Sequence, residues 1–202
     1  MTLAAESIAS QLEDLSAARR AMIDSQLRVS GINQDWLLAA LARVPREEFV
    51  PVAARGHAYI DRAIPLGEGR MLPAPLVQAM LLAEAAPEAG DKVLVVSPAG
   101  YLAALVEPLV QSVDTVEAGA ALALQAKGAF TLVLIDGAIE VLPPALVDAL
   151  AEGGRVVCGR VERGVTRITA GHKNGGKVEL TARADVGMPV LAEFAAPKTW
   201  SF

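Results

Sequence analysis

Apolar positions follow one rhythm in the first part of the chain and another in the middle. Ile8, Leu12 and Leu15, then Met22, Ile23 and Leu27, recur at the spacing of one helix face. This predicts one or two helices over residues 5–29, ended by Gly31. A further helix is predicted from Trp36 to Arg43, with Asn33 or Asp35 as its cap. Pro45 and Pro51 bracket a short segment after it. Residues 57–75 are rich in Gly and Pro, which predicts an irregular loop. Such loops on rigid scaffolds often carry binding residues. Leu76 to Ala86 returns to helix.

From Val93 the pattern changes to short apolar runs without polar alternation, as in strands buried on both faces of a parallel sheet. The runs are Val93–Val96, Ser112–Glu117 and Phe130–Ile135, the last ending at Asp136-Gly137. Helices are predicted over Tyr101–Val110, Ala118–Lys127 and Leu146–Leu150. Only about a dozen residues join Glu117 to Phe130, which leaves room for one crossover and no additional strand. Gly153-Gly154 precedes strands at Arg155–Val161 and Val165–Ala170, with Arg163-Gly164 as the turn between them. Asn174-Gly175-Gly176 is a hairpin signal ahead of Val178–Ala184. The expected fold class is α/β, a doubly wound, mostly parallel sheet with antiparallel C-terminal strands. We expect one domain over residues 1–202. It comprises a helical prefix (1–56), a loop (57–75) and a sheet core (76–202).

Composition narrows the class. Hydrophobic residues make up 53% and mean hydropathy is +0.40, much of it alanine. No apolar run reaches the ~18 residues of a membrane span. The start is acidic and polar, without the basic and apolar regions of a signal peptide, and points to the cytoplasm. The single Cys158 allows no internal disulfide. A net charge of −5 argues against a broad nucleic-acid surface, and Arg19-Arg20 reads as a solvated helix face.

The candidate chemistry lies around DKVLVVSPAGY (91–101), a strand, a small-residue turn and a helix start, half of a nucleotide-binding unit. Such a turn needs glycines to bring backbone N–H groups near a ligand. Here Gly100 is the only glycine of the turn, and Pro98 removes a donor. Glu117 ends the next strand, where an acid about 20 residues on can accept from ribose hydroxyls. It reads equally as a solvated acid. Asp136 ends a central strand at the crevice, where it either caps the following turn or receives a cationic group. His57 and His172 lack a second ligand at metal spacing, and no metal is expected. Cys158 reads as a buried, inert thiol. Neither a G-x-S-x-G nor a P-loop lysine motif is present.

Several segments resemble the protein-L-isoaspartate O-methyltransferase family. They are QLRVSGI, VPREEFVP, AYIDRAIPLGEG, KVLVVSPAGY, VDTVEA, FTLVLIDGA, LPPAL and EGGRVV, in the family's order. The resemblance implies a Rossmann-like methyltransferase fold. It implies S-adenosylmethionine as cofactor and isoaspartyl-containing proteins as substrates, methylated on the side-chain carboxyl. It assigns Gly100, Tyr101 and Glu117 to the cofactor, and Gly67, Gly69 and Pro75 to the substrate loop. It assigns no catalytic side chain.

Three departures follow from the same comparison. Val95 and Ser97 replace an acid and a glycine of the cofactor loop, which is one residue shorter. Met71 and Pro73 replace two hydroxyl residues that help hold the isoaspartyl carboxylate. The outer strand after Glu117, with the acid that contacts adenine, has no place. Three functions remain open. One is a diverged member that has lost efficient methyl transfer and works by binding or assembly. Another is an active methyltransferase with an altered pocket. The third is a small-molecule binder using the crevice near Ser97, Glu117 and Asp136. Without the outer strand, Ser112–Glu117 becomes a sheet edge, expected to be covered by the N-terminal helices or by a second copy in a homodimer.

Overall fold

The computed structural model describes residues 3–197. Helix α1 (Leu3–Met22) runs through a π-helical turn (Ile23–Leu27) and a 3-10 turn (Arg28–Ser30). Gly31 ends it with a left-handed φ of 88°. The Ile8 and Leu12 side chains lie outside the described set. Helix α2 (Asp35–Arg43) starts after Gln34, and neither Asn33 nor Asp35 caps it. A 3-10 turn (Arg46–Phe49) lies between Pro45 and Pro51. Residues 57–75 hold an ordered hairpin rather than an irregular loop: β1 (Ile64–Gly67) pairs antiparallel with β2 (Arg70–Leu72). Its turn takes positive φ at Gly67, Glu68 and Gly69. Helix α3 (Pro75–Ala85) follows, with Pro75 at its first turn.

The main sheet has seven strands, β3 (Lys92–Val96), β4 (Ser112–Val116), β5 (Phe130–Ile139), β6 (Leu150–Glu162), β7 (Val165–Asn174), β8 (Lys177–Val178) and β9 (Thr181–Asp185). Its order is β4-β3-β5-β6-β7, with β8 and β9 both pairing with β7. Strands β3 to β6 run parallel and the rest are antiparallel. The apolar runs are continuous because each face meets its own core. Val93, Val95, Leu132 and Leu134 join the side that carries α1, α2 and α3. Leu94, Val96, Val133 and Ile135 join the opposite side, with Leu146, Ala149 and Phe194. Each is fully or nearly fully buried, and each of the larger side chains, Ala149 aside, contributes about 1.5–3 kcal/mol.

Between Glu117 and Phe130 no strand intervenes, so β4 is the sheet edge. The crossover helix is shorter than expected: α5 covers only Ala118–Ala121. Returning along β4 takes roughly 17 Å, and passing over β3 adds about 10 Å. A dozen helical residues reach only about 18 Å, so part of the crossover must be extended. Strand β5 continues through Asp136 and Gly137 because Ala138 bridges to Val190 of the C-terminal segment. After β3 the chain forms α4 (Tyr101–Val106), and α6 (Pro144–Ala149) precedes β6.

Arg19 is not part of a solvated face. It donates to the Tyr59 hydroxyl, the Ala42 carbonyl and Glu47. The edge strand is not covered by the N-terminal helices: Ser112, Asp114 and Thr115 stay exposed.

Candidate functional site

A cleft of about 270 Å³ opens at the C-terminal ends of β3 and β4. Its floor is Val96, Ser97 and Pro98, and one wall is Glu117, Ala118 and Gly119. The β1–β2 hairpin supplies Arg70 and Met71, and residues 189–193 close the far side. That last wall is fastened by backbone bonds. The Ala138 N–H donates to the Pro189 carbonyl at 2.7 Å, and the Leu191 N–H to the Ala138 carbonyl at 2.8 Å. The N–H groups of Glu140 and Val141 both donate to Phe194, whose ring is buried against the α5 side.

The turn after β3 is closed on itself. Ser97 is buried, and its hydroxyl accepts from the Gly100 N–H at 3.2 Å and the Ala99 N–H at 3.4 Å. The hydroxyl proton goes to Asp136 at 3.0 Å. Two donors that a glycine turn would aim at a ligand are thus held by a side chain. Pro98 supplies none.

Beneath the cleft runs a buried polar chain. Gln78 of α3 donates to both Asp136 oxygens at 2.9 Å. Arg46, 0% exposed, donates to the Gln78 oxygen and to the carbonyls of Ala58 and Pro73. Its guanidinium lies 4.9 Å from the Tyr101 ring centroid, a cation–π contact. Burial pushes the Asp136 carboxyl up to about 6, against the hydrogen bonds of Gln78 and Ser97 and the pull of Arg46. Burial likewise lowers Arg46 and pushes Tyr101 up to about 12. A second cluster joins Arg19, Glu47 and Tyr59, with the Tyr59 hydroxyl donating to Glu47. Together these two clusters tie the PREEF segment and the AY segment to the hairpin and α3.

At the cleft mouth Arg70 reaches Glu117 at 3.2 Å and Glu68 at 3.3 Å. Both pairs are well exposed, so each contributes little, about 0–1 kcal/mol.

Glu117 and Gly69 line the cleft. Gly100 starts α4 with a left-handed φ of 76°, and its N–H faces Ser97. Tyr101 lies under Arg46, wholly buried, its hydroxyl without a hydrogen-bond partner among the described residues. Gly67 shapes the hairpin turn, and Pro75 is buried at the start of α3. Asp136 neither caps a turn nor lines the cleft; it binds Gln78 and Ser97 below it. His57 and His172 are exposed. Cys158 is fully buried, and burial pushes its thiol up to about 11. No group of three His, Cys, Asp or Glu among the described residues could hold a metal. Sequence reasoning missed Arg46, Gln78, Arg70 and residues 189–193. Only Arg46 carried a signal, its place in VPREEFVP.

The chain compares with known proteins along most of its length. The family model for protein-L-isoaspartate(D-aspartate) O-methyltransferase matches residues 17–131. A protein-L-isoaspartate O-methyltransferase of Koribacter versatilis is 36% identical, over 69% of this chain and 74% of its own. Another, from Methanoculleus marisnigri, is 27% identical, over 87% of this chain and 92% of its own. A crystal structure of a Plasmodium falciparum protein of that description, in complex with S-adenosyl-L-homocysteine, superposes with a TM-score of 0.70 at 19% identity. It covers 89% of this chain and 98% of the other. The family model matches more than half of the chain and the Koribacter versatilis relative more than two thirds of it, and the chain belongs to the protein-L-isoaspartate O-methyltransferase family.

Proposed function

We propose that this family member binds S-adenosylmethionine weakly or not at all, and works by binding or assembly rather than by efficient methyl transfer. One observation carries the proposal. The Ser97 hydroxyl holds the Ala99 and Gly100 N–H groups that would otherwise face the cofactor. The residues present fit the cofactor only in part. Glu117 can meet ribose hydroxyls, but it is engaged by Arg70. Pro98 offers no donor, and residues 189–193 narrow the cleft. At about 270 Å³ it lies below the ~300–1,000 Å³ usual for small-molecule sites. We therefore derive no chemical step through the cofactor. The test is transfer of labelled methyl from S-adenosylmethionine to an isoaspartyl peptide. Turnover no higher than a blank supports the proposal, and steady turnover overturns it.

A second reading is an active carboxyl methyltransferase with an altered pocket. It is favoured by the name of the Koribacter versatilis relative and by the position of Glu117 at the cleft. The same assay decides between them. We assign the chain as a single domain, 1–202, acting in the cytoplasm. No described helix is long and apolar enough to cross a membrane. The assembly we favour is a homodimer through β4.

A further inference from the structure

Ser97 and Asp136 close the turn after β3 with no hydrogen-bonding capacity to spare. The Ser97 hydroxyl gives its one proton to Asp136 Oδ2 at 3.0 Å, and accepts from the Gly100 and Ala99 N–H groups at 3.2 and 3.4 Å. A hydroxyl has one proton and two lone pairs, so all are in use. Asp136 accepts at both oxygens, from the Gln78 amide nitrogen at 2.9 Å and from Ser97.

This arrangement suits the carboxylate and fails for the acid. A protonated Asp136 has a proton to donate, and of the side chains bonded to it only Ser97 can accept. Gln78 presents its amide nitrogen, a donor, and its amide cannot turn over because its oxygen accepts from the Arg46 guanidinium. The proton on Asp136 Oδ2 must then point to Ser97 Oγ, which reverses the bond between them. Ser97 is left facing three donors with two lone pairs. The Ala99 N–H makes the longest of these bonds, at 3.4 Å, and is the one to let go. The Ser97 proton, displaced from Asp136, turns to the cleft that Ser97 lines. We propose that a proton on Asp136 switches this turn: without it Ser97 holds the turn closed, and with it the Ala99 N–H and the Ser97 hydroxyl proton are released. The switch regulates the site described above and rests on the reading that Ser97 is what closes the turn.

Burial sets the loss of that proton at about pH 6. Arg46, on the 3-10 turn, is the charged group that acts on Asp136 among the described residues, and it opposes the proton. Tyr101 of α4 lies beyond Arg46, and Cys158 of β6 belongs to the opposite face of the sheet. Residues 189–191 bring no charge, and Glu68, Arg70 and Glu117 stand at the cleft mouth.

The test is NMR of the full chain, without ligand, from pH 4 to pH 8. The Asp136 carboxyl carbon and the Ala99 amide proton should titrate together, with one midpoint near pH 6. The amide should move upfield as pH falls, because it loses its bond. Asp136→Asn should hold the Ala99 amide at its low-pH position throughout, since the carboxamide donates to Ser97 as the acid does. A carboxyl that titrates while Ala99 stays still overturns the proposal, and so does a carboxyl that keeps one state wherever the chain is folded. An Ala99 step that survives in Asp136→Asn overturns it as well. The wild-type comparison needs no variant and decides the matter where Asp136→Asn does not fold. Turnover in the methyl-transfer assay above would end the proposed loss of activity and leave the amide titration as the separate test of this switch.

Discussion

The buried carboxylate under the cleft makes stability depend on pH in an unusual direction. Asp136 is 1% exposed, and its carboxyl is raised from 3.8 to about 6 because burial outweighs its hydrogen bonds. Between those two values the folded chain keeps a proton that the unfolded chain has released. Stability from this group is therefore full below about pH 4 and falls as pH rises to about 6. Each pH unit in that window is worth about 1.4 kcal/mol, so the total loss is about 3 kcal/mol. That is a large share of the roughly 5–15 kcal/mol that holds a domain together. Asp136→Asn removes the titration and keeps the shape. The absolute cost of the change is immaterial, because only its variation with pH is read. Urea unfolding of both proteins at pH 4, 5, 6 and 7 gives the difference in stability, in which the other carboxylates cancel. The wild type should lose about 3 kcal/mol relative to the variant between pH 4 and pH 7. A flat difference, or a wild type that gains on the variant as pH rises, would mean that Gln78, Ser97 and Arg46 hold the anion at least as well as water does. Burial would then not be what sets the protonation of Asp136.

Other outcomes follow from the same contacts. Arg155 forks onto Asp91 at 2.7 and 3.1 Å and also donates to the carbonyls of Ala85, the last residue of α3, and of Ala86 just after it. Arg155→Ala should lower stability by about 1.5–3 kcal/mol in chemical denaturation, from the lost charge-assisted bonds, since Asp91 keeps those from the Thr131 hydroxyl and the Glu88 N–H. Cys158 should resist a thiol reagent in the native chain and react once after unfolding, since its thiol is buried and raised to about 11. At the sheet edge, Ser112, Asp114 and Val116 turn their backbone groups to β3, so those of Val113 and Thr115 point outward. A twofold antiparallel pairing that bonds Val113 to Thr115 sets Asp114 against its own copy, an unfavourable like-charge pair. Asp114→Asn should therefore tighten the β4 homodimer in analytical ultracentrifugation. Fast hydrogen exchange at Val113 and Thr115 at high protein concentration would show that no dimer uses this edge.

The parallel centre of the fold was legible because β3 and β5 bury both faces, and nothing polar interrupts their runs. The edge position of β4 was legible from the short spacer together with the resemblance, whose outer strand it leaves no room for. The hairpin at 64–72 was not, since its Gly-Glu-Gly turn and its prolines look like loop chemistry; three successive left-handed residues make the reversal. At the site, Ser97 stood out as a missing glycine. Its hydroxyl also closes the turn, and that depends on Asp136, which is 39 residues away. Arg46 and Gln78 meet across 32 residues, and Arg70 and Glu117 across 47. No periodicity encodes such pairs. Residues 189–193 follow neither rhythm, and their role as a wall comes from backbone bonds to β5.

The central claim is that the turn after β3 satisfies its own donors through Ser97 and so leaves little for a cofactor. Calorimetric titration of the full chain with S-adenosylhomocysteine tests it most directly. No saturable heat is expected at micromolar concentrations. A clear one-to-one isotherm with a micromolar dissociation constant would contradict it.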